Sequence, residues 1–512
     1  MGWKTTVRWS LLAVFLLCAV LLVNAYFNRE AQTLARDMLA EHFHSEVALD
    51  SLHVRLLPTV VVTGTGLTLV QSAGGAKIPF IHVQKFAAST SLWNMLTRTR
   101  HLHHVRALGM TITVARHSDA ETQPTTKRKV PRFDIDGLEA DDATLVILAS
   151  DPAKRALVFN MHHLLLTSAG KDGGMHYRAV LRNALPPGEI EADGSFGPWN
   201  LQDSGATHVD GKYVFKKADL GVFHELSGTL SSEGHFTGEL GRIDVQGTTD
   251  TPDFSVSSGK HPVDLKTTFT ATVDGTNGDT QLHSVEAHLL NSTIAVNGSI
   301  VDVPGPLGHI IDLDVVSKDA RVEDMLKMAV KTPPAMHGGL QFTAKVKIVP
   351  GEGPVRSRIT ADGQANIVNG TFRKETVSEK VAELSHKAEG NLKANNDEQV
   401  PAHFKTTFHL AKGKLNIPSL DFNVPGAEAK LHGSYDVNDQ TLDFSGTAML
   451  HATVSQMTTG FKSFLLKAVD PFFKGKSAGT VLPITITGTR YDPKFKVELK
   501  RLKEAKKAAD AN

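Results

Sequence analysis

Histidine supplies the chain's most suggestive ligand chemistry. His101, His103 and His104 fall in one short stretch, and His162 and His163 in another. Imidazole is a common ligand of zinc and related metals. Adjacent residues on a strand face opposite ways, so neither His103-His104 nor His162-His163 converges on one ion by itself. No HExxH pattern supports them, and the single cysteine, Cys18, excludes a cysteine-based cluster. Gly475-Lys476-Ser477 resembles the end of a phosphate loop, but Asp470 occupies the place of its first glycine. Asp134-x-Asp136-Gly137 starts like a calcium loop, with the glycine two places early and no suitable glutamate downstream. Asp141-Asp142 reads as a pair of turn residues. No Gly-x-Ser-x-Gly elbow and no Ser-x-x-Lys nucleophile pair stands out. The expectation is a protein that is not an enzyme and holds neither metal nor cofactor.

The elements that carry these residues are mostly strands. In Val263–Val273 (VDLKTTFTATV), Val263, Leu265, Thr267, Phe269, Ala271 and Val273 fall on one side of an extended chain. Asp264, Lys266, Thr268, Thr270 and Thr272 fall on the other. Phe342, Ala344, Val346 and Ile348 repeat the pattern, as do Phe404, Thr406, Phe408 and Leu410, and Leu442, Phe444, Gly446, Ala448 and Leu450. Turns are expected at Val273-Asp274-Gly275 and Asn297-Gly298. Val245–Val256 (VQGTTDTPDFSV) and Ile486–Val497 (ITGTRYDPKFKV) echo one another, suggesting a repeated strand–turn–strand unit. With 42 glycines and 6% aromatics, the composition suits many slender strands. The 55 basic residues balance 54 acidic ones, so no basic face for nucleic acid is indicated.

Around the strands, residues 1–8 carry Lys4 and Arg8 and precede an uncharged run, Trp9–Phe27. At about 1.5 Å per residue those 19 residues span roughly 28 Å, enough for one transmembrane helix. The basic flank places the N-terminus in the cytoplasm and the bulk across the membrane; a cleaved signal peptide is the alternative. Asn28–His44 reads as a stalk helix with Ala31, Leu34, Ala35, Met38 and Leu39 on one face. Residues 45–116 form an N-terminal β module, 117–132 a polar linker, 133–499 the main β body and 500–512 a basic tail. Helices are expected near 317–331, 376–389 and 453–473. Lys462, Lys467 and Lys474 on or beside the last are candidates to meet lipid headgroups.

The arrangement resembles the AsmA-like proteins of diderm bacteria, within the bridge-like lipid-transfer superfamily. The resemblance rests on LLPTVVVTGTGLTL (56–69), FAASTSLWNML (86–96) and HHVRALGMTITV (103–114). It extends through TPDFSV, TTFTATVDGTNGDTQL and LLKAVDPFFK to VLPITITGTRYDPKFKV (481–497). It implies an elongated, curved antiparallel β-groove with a few covering helices and one N-terminal transmembrane helix. It further implies an inner-membrane anchor with the bulk in the periplasm, an apolar lining for phospholipid acyl chains, and a role in outer-membrane biogenesis. The residue patterns make Val263, Leu265, Phe269, Val273, Phe342, Val346, Phe404, Phe408, Leu410, Leu442 and Phe444 the candidate lining. Expected partners are the inner membrane, phospholipids and proteins of the periplasm or outer membrane. The alternative is a scaffold or regulator of outer-membrane protein assembly that carries no lipid.

Overall fold

Runs that alternate apolar with polar residues bury their apolar half by pairing edge to edge and presenting it on one face. The computed structural model describes residues 30–37, 39–41, 45–55, 60–73, 76–91, 100–114, 133–148, 156–168, 174–198, 204–223, 225–256, 261–303, 308–329, 333–373, several positions between 378 and 389, 399–450, 480–489 and 492–497. Among these residues the chain is mostly β, with 25 strands in a long, predominantly antiparallel sheet, two more (Arg100–Leu102 and Phe133–Ile135) in a short parallel pair, and few helices. Two compact units are distinguished. One draws on Met1–Ala218, Ser232–Val245 and Val273–Gly278; the other draws on Asp219–Ser231, Gln246–Thr272 and Asp279–Asn512.

In the first unit, Glu46–Ala48 and Ser51–Arg55 both pair with the long strand Val60–Ala73. Ala76–Thr90 and His104–Val114 follow as antiparallel neighbours. Gly137–Ile147 then lies parallel to His104–Val114. The sheet continues antiparallel through Leu157–Ser168, Met175–Ala184, Pro187–Phe196 and His208–Asp219. Its core gathers Val83, Ala107, Met110, Ala140, Ala143, Met161, Leu164 and Ala179 from five of these strands, Ala76–Thr90 through Met175–Ala184. Helical positions 30–37 and 39–41 dock Ala31 and Ala35 on a second cluster, Leu49, Leu52, Val54 and Val60. Gln32 Nε2 and Arg36 Nη2 donate to the Leu49 carbonyl at 3.0 and 2.6 Å. Leu34, expected on the buried face, is 52% exposed.

The second unit contains a meander in which each strand pairs antiparallel with the next. Its order is Thr280–Leu289, Ser292–Asp302, His309–Arg321, Met336–Ile348, Ile359–Phe372, Ala402–Ala411, Lys414–Val424, Ala427–Asp436, Thr441–Leu450, Thr480–Thr489 and Pro493–Val497. Helix Val322–Ala329 and the helical positions between 378 and 386 both enter at the rim that holds Leu289, Arg321, Phe372 and Val424. The first has Glu323 and Asp324 in its opening turn, where the helix dipole favours negative charge. Asp324 Oδ2 is buried and accepts from Asn291 N at 3.0 Å and Ser292 Oγ at 2.8 Å. The second rests Ala382 on Val400, Ala402, Val424, Ala427 and Leu450, and Ser385 Oγ donates to the Pro425 carbonyl at 2.7 Å.

Several expectations change. The helix expected over 317–331 begins only at Val322, because Ser317–Arg321 completes the strand His309–Arg321. A register shift between Ser317 and Ala320 breaks the alternation there and disguises the strand. Asn297-Gly298 is not a turn but the middle of Ser292–Asp302, paired to both neighbours. The two echoing segments also differ. Arg242–Val256 is one continuous strand, whereas Thr480–Thr489 and Pro493–Val497 are two strands of a hairpin. The anchor at 9–27, the linker at 117–132, the helix near 453–473 and the tail at 500–512 lie outside the described residues. Among the described residues no helix is long and apolar enough to cross a membrane.

Candidate functional site

Residues directly opposite in an antiparallel pair share a face, so the registers of the second unit place the candidates. One row runs Leu282, Gly298, Leu313, Val346, Ala361, Leu410, Leu415, Tyr435, Leu442, Gly488. A second runs Phe342, Ala365, Thr406, Leu420, Leu431, Gly446, Ile484. A third runs Leu340, Ile367, Phe404, Phe422, Ala429, Ala448, Leu482. None of the three contains a charged side chain. The neighbouring row on the opposite face runs Asp314, Lys345, Asp362, His409, Asn416, Ser434, Asp443, Thr487, Lys494. There Lys345 Nζ lies 3.0 Å from Asp314 Oδ1, and that hydrogen bond raises the lysine above its ordinary range. His409 Nδ1 lies 2.6 Å from Asp362 Oδ1. One face is therefore hydrocarbon and the other a charged ladder.

The apolar face is not dry throughout. Met336–Ile348, Ala402–Ala411 and Thr441–Leu450 alternate exposed residues with half-buried ones through most of their length. Phe342, Val346, Phe408, Leu410 and Leu442 are all half-buried, as are Leu265, Phe269 and Val273 on Val263–Val273. Full burial is found at Val263 (3% exposed) and Phe444 (8%). Phe404 belongs to the helix-covered cluster, with its ring 4.9 Å from Phe422 and 6.2 Å from Phe372. Phe408 and Phe444 lie opposite glycines. A Cβ on Gly363 would stand 2.5 Å from Phe408 Cζ, and one on Gly433 would stand 2.8 Å from Phe444 Cδ1. The rings fill space that the glycines leave, an arrangement that shields backbone in sheets. The eleven candidates thus divide into a half-buried set, a covered aromatic at the helical rim and buried packing residues. Lys462, Lys467 and Lys474 lie outside the described residues.

Reading by strand missed Leu313, Ala361, Leu415 and Leu431, which complete the rows; unbroken alternation through Ala344 and Gly298 was the available signal. It also missed a polar constellation in the first unit. Glu139 and Asp141 lie two apart on Gly137–Ile147, and Asp141 faces His163 across the strand pair. His163 Nδ1 is 2.9 Å from Asp141 Oδ1, and His104 Nε2 is 3.3 Å from Glu139 Oε2. Arg106 donates to both Glu139 oxygens, Nε to Oε2 at 2.8 Å and Nη2 to Oε1 at 3.2 Å. The hydrogen bond from Arg106 holds the Glu139 carboxyl below its usual range. His103 points elsewhere, to Asp136 at 3.1 Å.

Comparison with protein-family models, curated proteins and solved structures finds no match. The charged ladder is typical of a solvated sheet surface. The apolar rows are not, because half-buried apolar residues over adjoining strands leave a contiguous, partly accessible patch, and such patches mark surfaces with a partner.

Proposed function

We propose that this chain is a membrane-anchored, AsmA-like protein that binds or conducts phospholipid acyl chains along the apolar face of its sheet, in support of outer-membrane biogenesis. The observation that carries this reading is the uncharged row from Leu282 to Gly488, half-buried at every position but the buried Ala361. Ten strands about 4.8 Å apart span roughly 43 Å, against about 15 Å for one leaflet of bilayer hydrocarbon. Each methylene withdrawn from water contributes about 0.8 kcal/mol, so an acyl chain is held firmly, while similar aliphatic neighbours let it shift along the row. Register shifts recur in this unit, between Leu282 and Val285, His337 and Gly339, Thr407 and His409, and Ile417 and Leu420. Bulges of this kind bend strands and favour a curled sheet.

The test is native mass spectrometry of the full chain purified in mild detergent, combined with photo-reactive residues at Phe269, Phe408 and Leu410. Co-purified phospholipid and lipid crosslinks from these positions, absent from a probe at His409 on the opposite face, are expected. No lipid, or equal crosslinking from both faces, defeats the reading. A scaffold that carries no lipid is the second reading, favoured by the covered rim where Phe404 packs between Phe372 and Phe422.

A further inference from the structure

We infer that His104, Glu139, Asp141 and His163 form a binding site for a divalent transition-metal ion, zinc being the best match, on the first unit. The residues come from three adjacent strands, His104–Val114, Gly137–Ile147 and Leu157–Ser168. Glu139, Asp141 and His163 each bring a ligand atom within 4.8 Å of the others. His104 Nε2 lies 3.3 Å from Glu139 Oε2 but outside that group of three, so its exposed ring has to turn toward the ion to serve as the fourth donor. A tetrahedral ion with bonds of about 2.1 Å sets its donor atoms about 3.4 Å apart. The His104–Glu139 and Asp141–His163 pairs, at 3.3 and 2.9 Å, already lie near that spacing. The two histidine stretches of the sequence each contribute one ring, which removes the objection that neighbouring histidines diverge.

Arg106 does not block the site. A carboxylate offers about four lone-pair positions, and Arg106 takes one on each Glu139 oxygen, leaving the others. Its guanidinium acts as an outer partner that fixes the carboxylate's orientation, as hydrogen-bonded ligands commonly require. Two imidazoles with two carboxylates suit zinc and its neighbours; calcium and magnesium prefer all-oxygen sets. The ligand side chains are 21–51% exposed, so an ion enters without rearrangement of the fold.

The test uses the full chain stripped with chelator and titrated with zinc chloride in competition with a chromogenic chelator, with cobalt as a spectroscopic stand-in. About one ion per chain is expected, with the visible absorption of four-coordinate cobalt and no response to calcium. His163→Ala and Asp141→Asn each weaken binding by at least about tenfold, and Arg106→Gln weakens it less than either. Because the chain has 24 histidines, His409→Ala, which removes a similar His–carboxylate pair in the second unit, serves as the control and leaves binding unchanged. Circular dichroism of each variant checks that the sheet is retained. Failure to bind zinc, or loss spread equally over His163→Ala and His409→Ala in folded variants, overturns the proposal and leaves a ladder of ion pairs.

Discussion

At the scale of single residues, glycines and buried polar groups decide more than their small size suggests. Gly363 leaves room for the Phe408 ring and for the Thr343 carbonyl, which a Cβ would meet at 2.5 Å. Gly363→Val is expected to destabilise the second unit by about 1–3 kcal/mol through overpacking, read as a lower urea midpoint. Gly298 has φ +147°, and a Cβ there would collide with the Asp312 carbonyl of the neighbouring strand. The dipeptide Asn297-Gly298 looks like a hairpin turn because such pairs supply positive φ. Here the glycine serves close strand approach instead, which one sequence does not distinguish. Asp324 is the other sensitive position. Asp324→Ala leaves the Asn291 N–H and the Ser292 hydroxyl without their acceptor, at an expected cost of about 1–3 kcal/mol in the same measurement.

At the scale of elements, helix Val322–Ala329 is tied to its sheet by charge as well as packing. Burial works to raise the Glu323 carboxyl, but its own backbone N–H, the Gly338 N–H and Arg321 outweigh that and hold it below the usual range. A carboxyl lower in the folded than in the unfolded chain stabilises above the ordinary carboxylate pKa. That contribution is lost as pH falls through the depressed folded value. Melting followed from pH 7 to pH 3 is expected to show a steeper acid decline for the natural chain than for Glu323→Gln. Most strands were legible because their alternation is clean: Val263–Val273 keeps its expected limits, and Phe342, Val346, Phe404, Phe408, Leu410, Leu442 and Phe444 occupy the less exposed positions of their strands. Alternation fails as a guide where a bulge intervenes, as between Ser317 and Ala320. Motif similarity fails where proline has two uses. Pro252 sits inside a strand, whereas Pro493 opens a new one just after Asp492, whose N–H donates to the Thr489 carbonyl. The His104–Glu139–Asp141–His163 group was illegible because it is assembled across strands, and register is not written in any one of them.

At the scale of the molecule, the reading turns on whether the apolar rows meet lipid. Leu313→Glu or Val346→Glu places a charge in the middle of the row, where an acyl chain would have to lie beside it. Either substitution is expected to abolish phospholipid recovery in native mass spectrometry, while Asp314→Lys on the opposite face leaves it intact. Lipid recovery unchanged by both of these charges would move the function away from this face. The meander has a further property. Two consecutive strands return the chain to the rim it left, with the apolar side chains still on the same face. Excising Lys414–Asp436 would bring Ala402–Ala411 against Thr441–Leu450 in the correct direction. Such an excision shortens the row by about 10 Å; removing a single strand would reverse every strand after it. The length of the apolar row is thus set by counting, as on a ruler graduated in hairpins, and a chain of this kind lengthens or shortens it only by whole divisions.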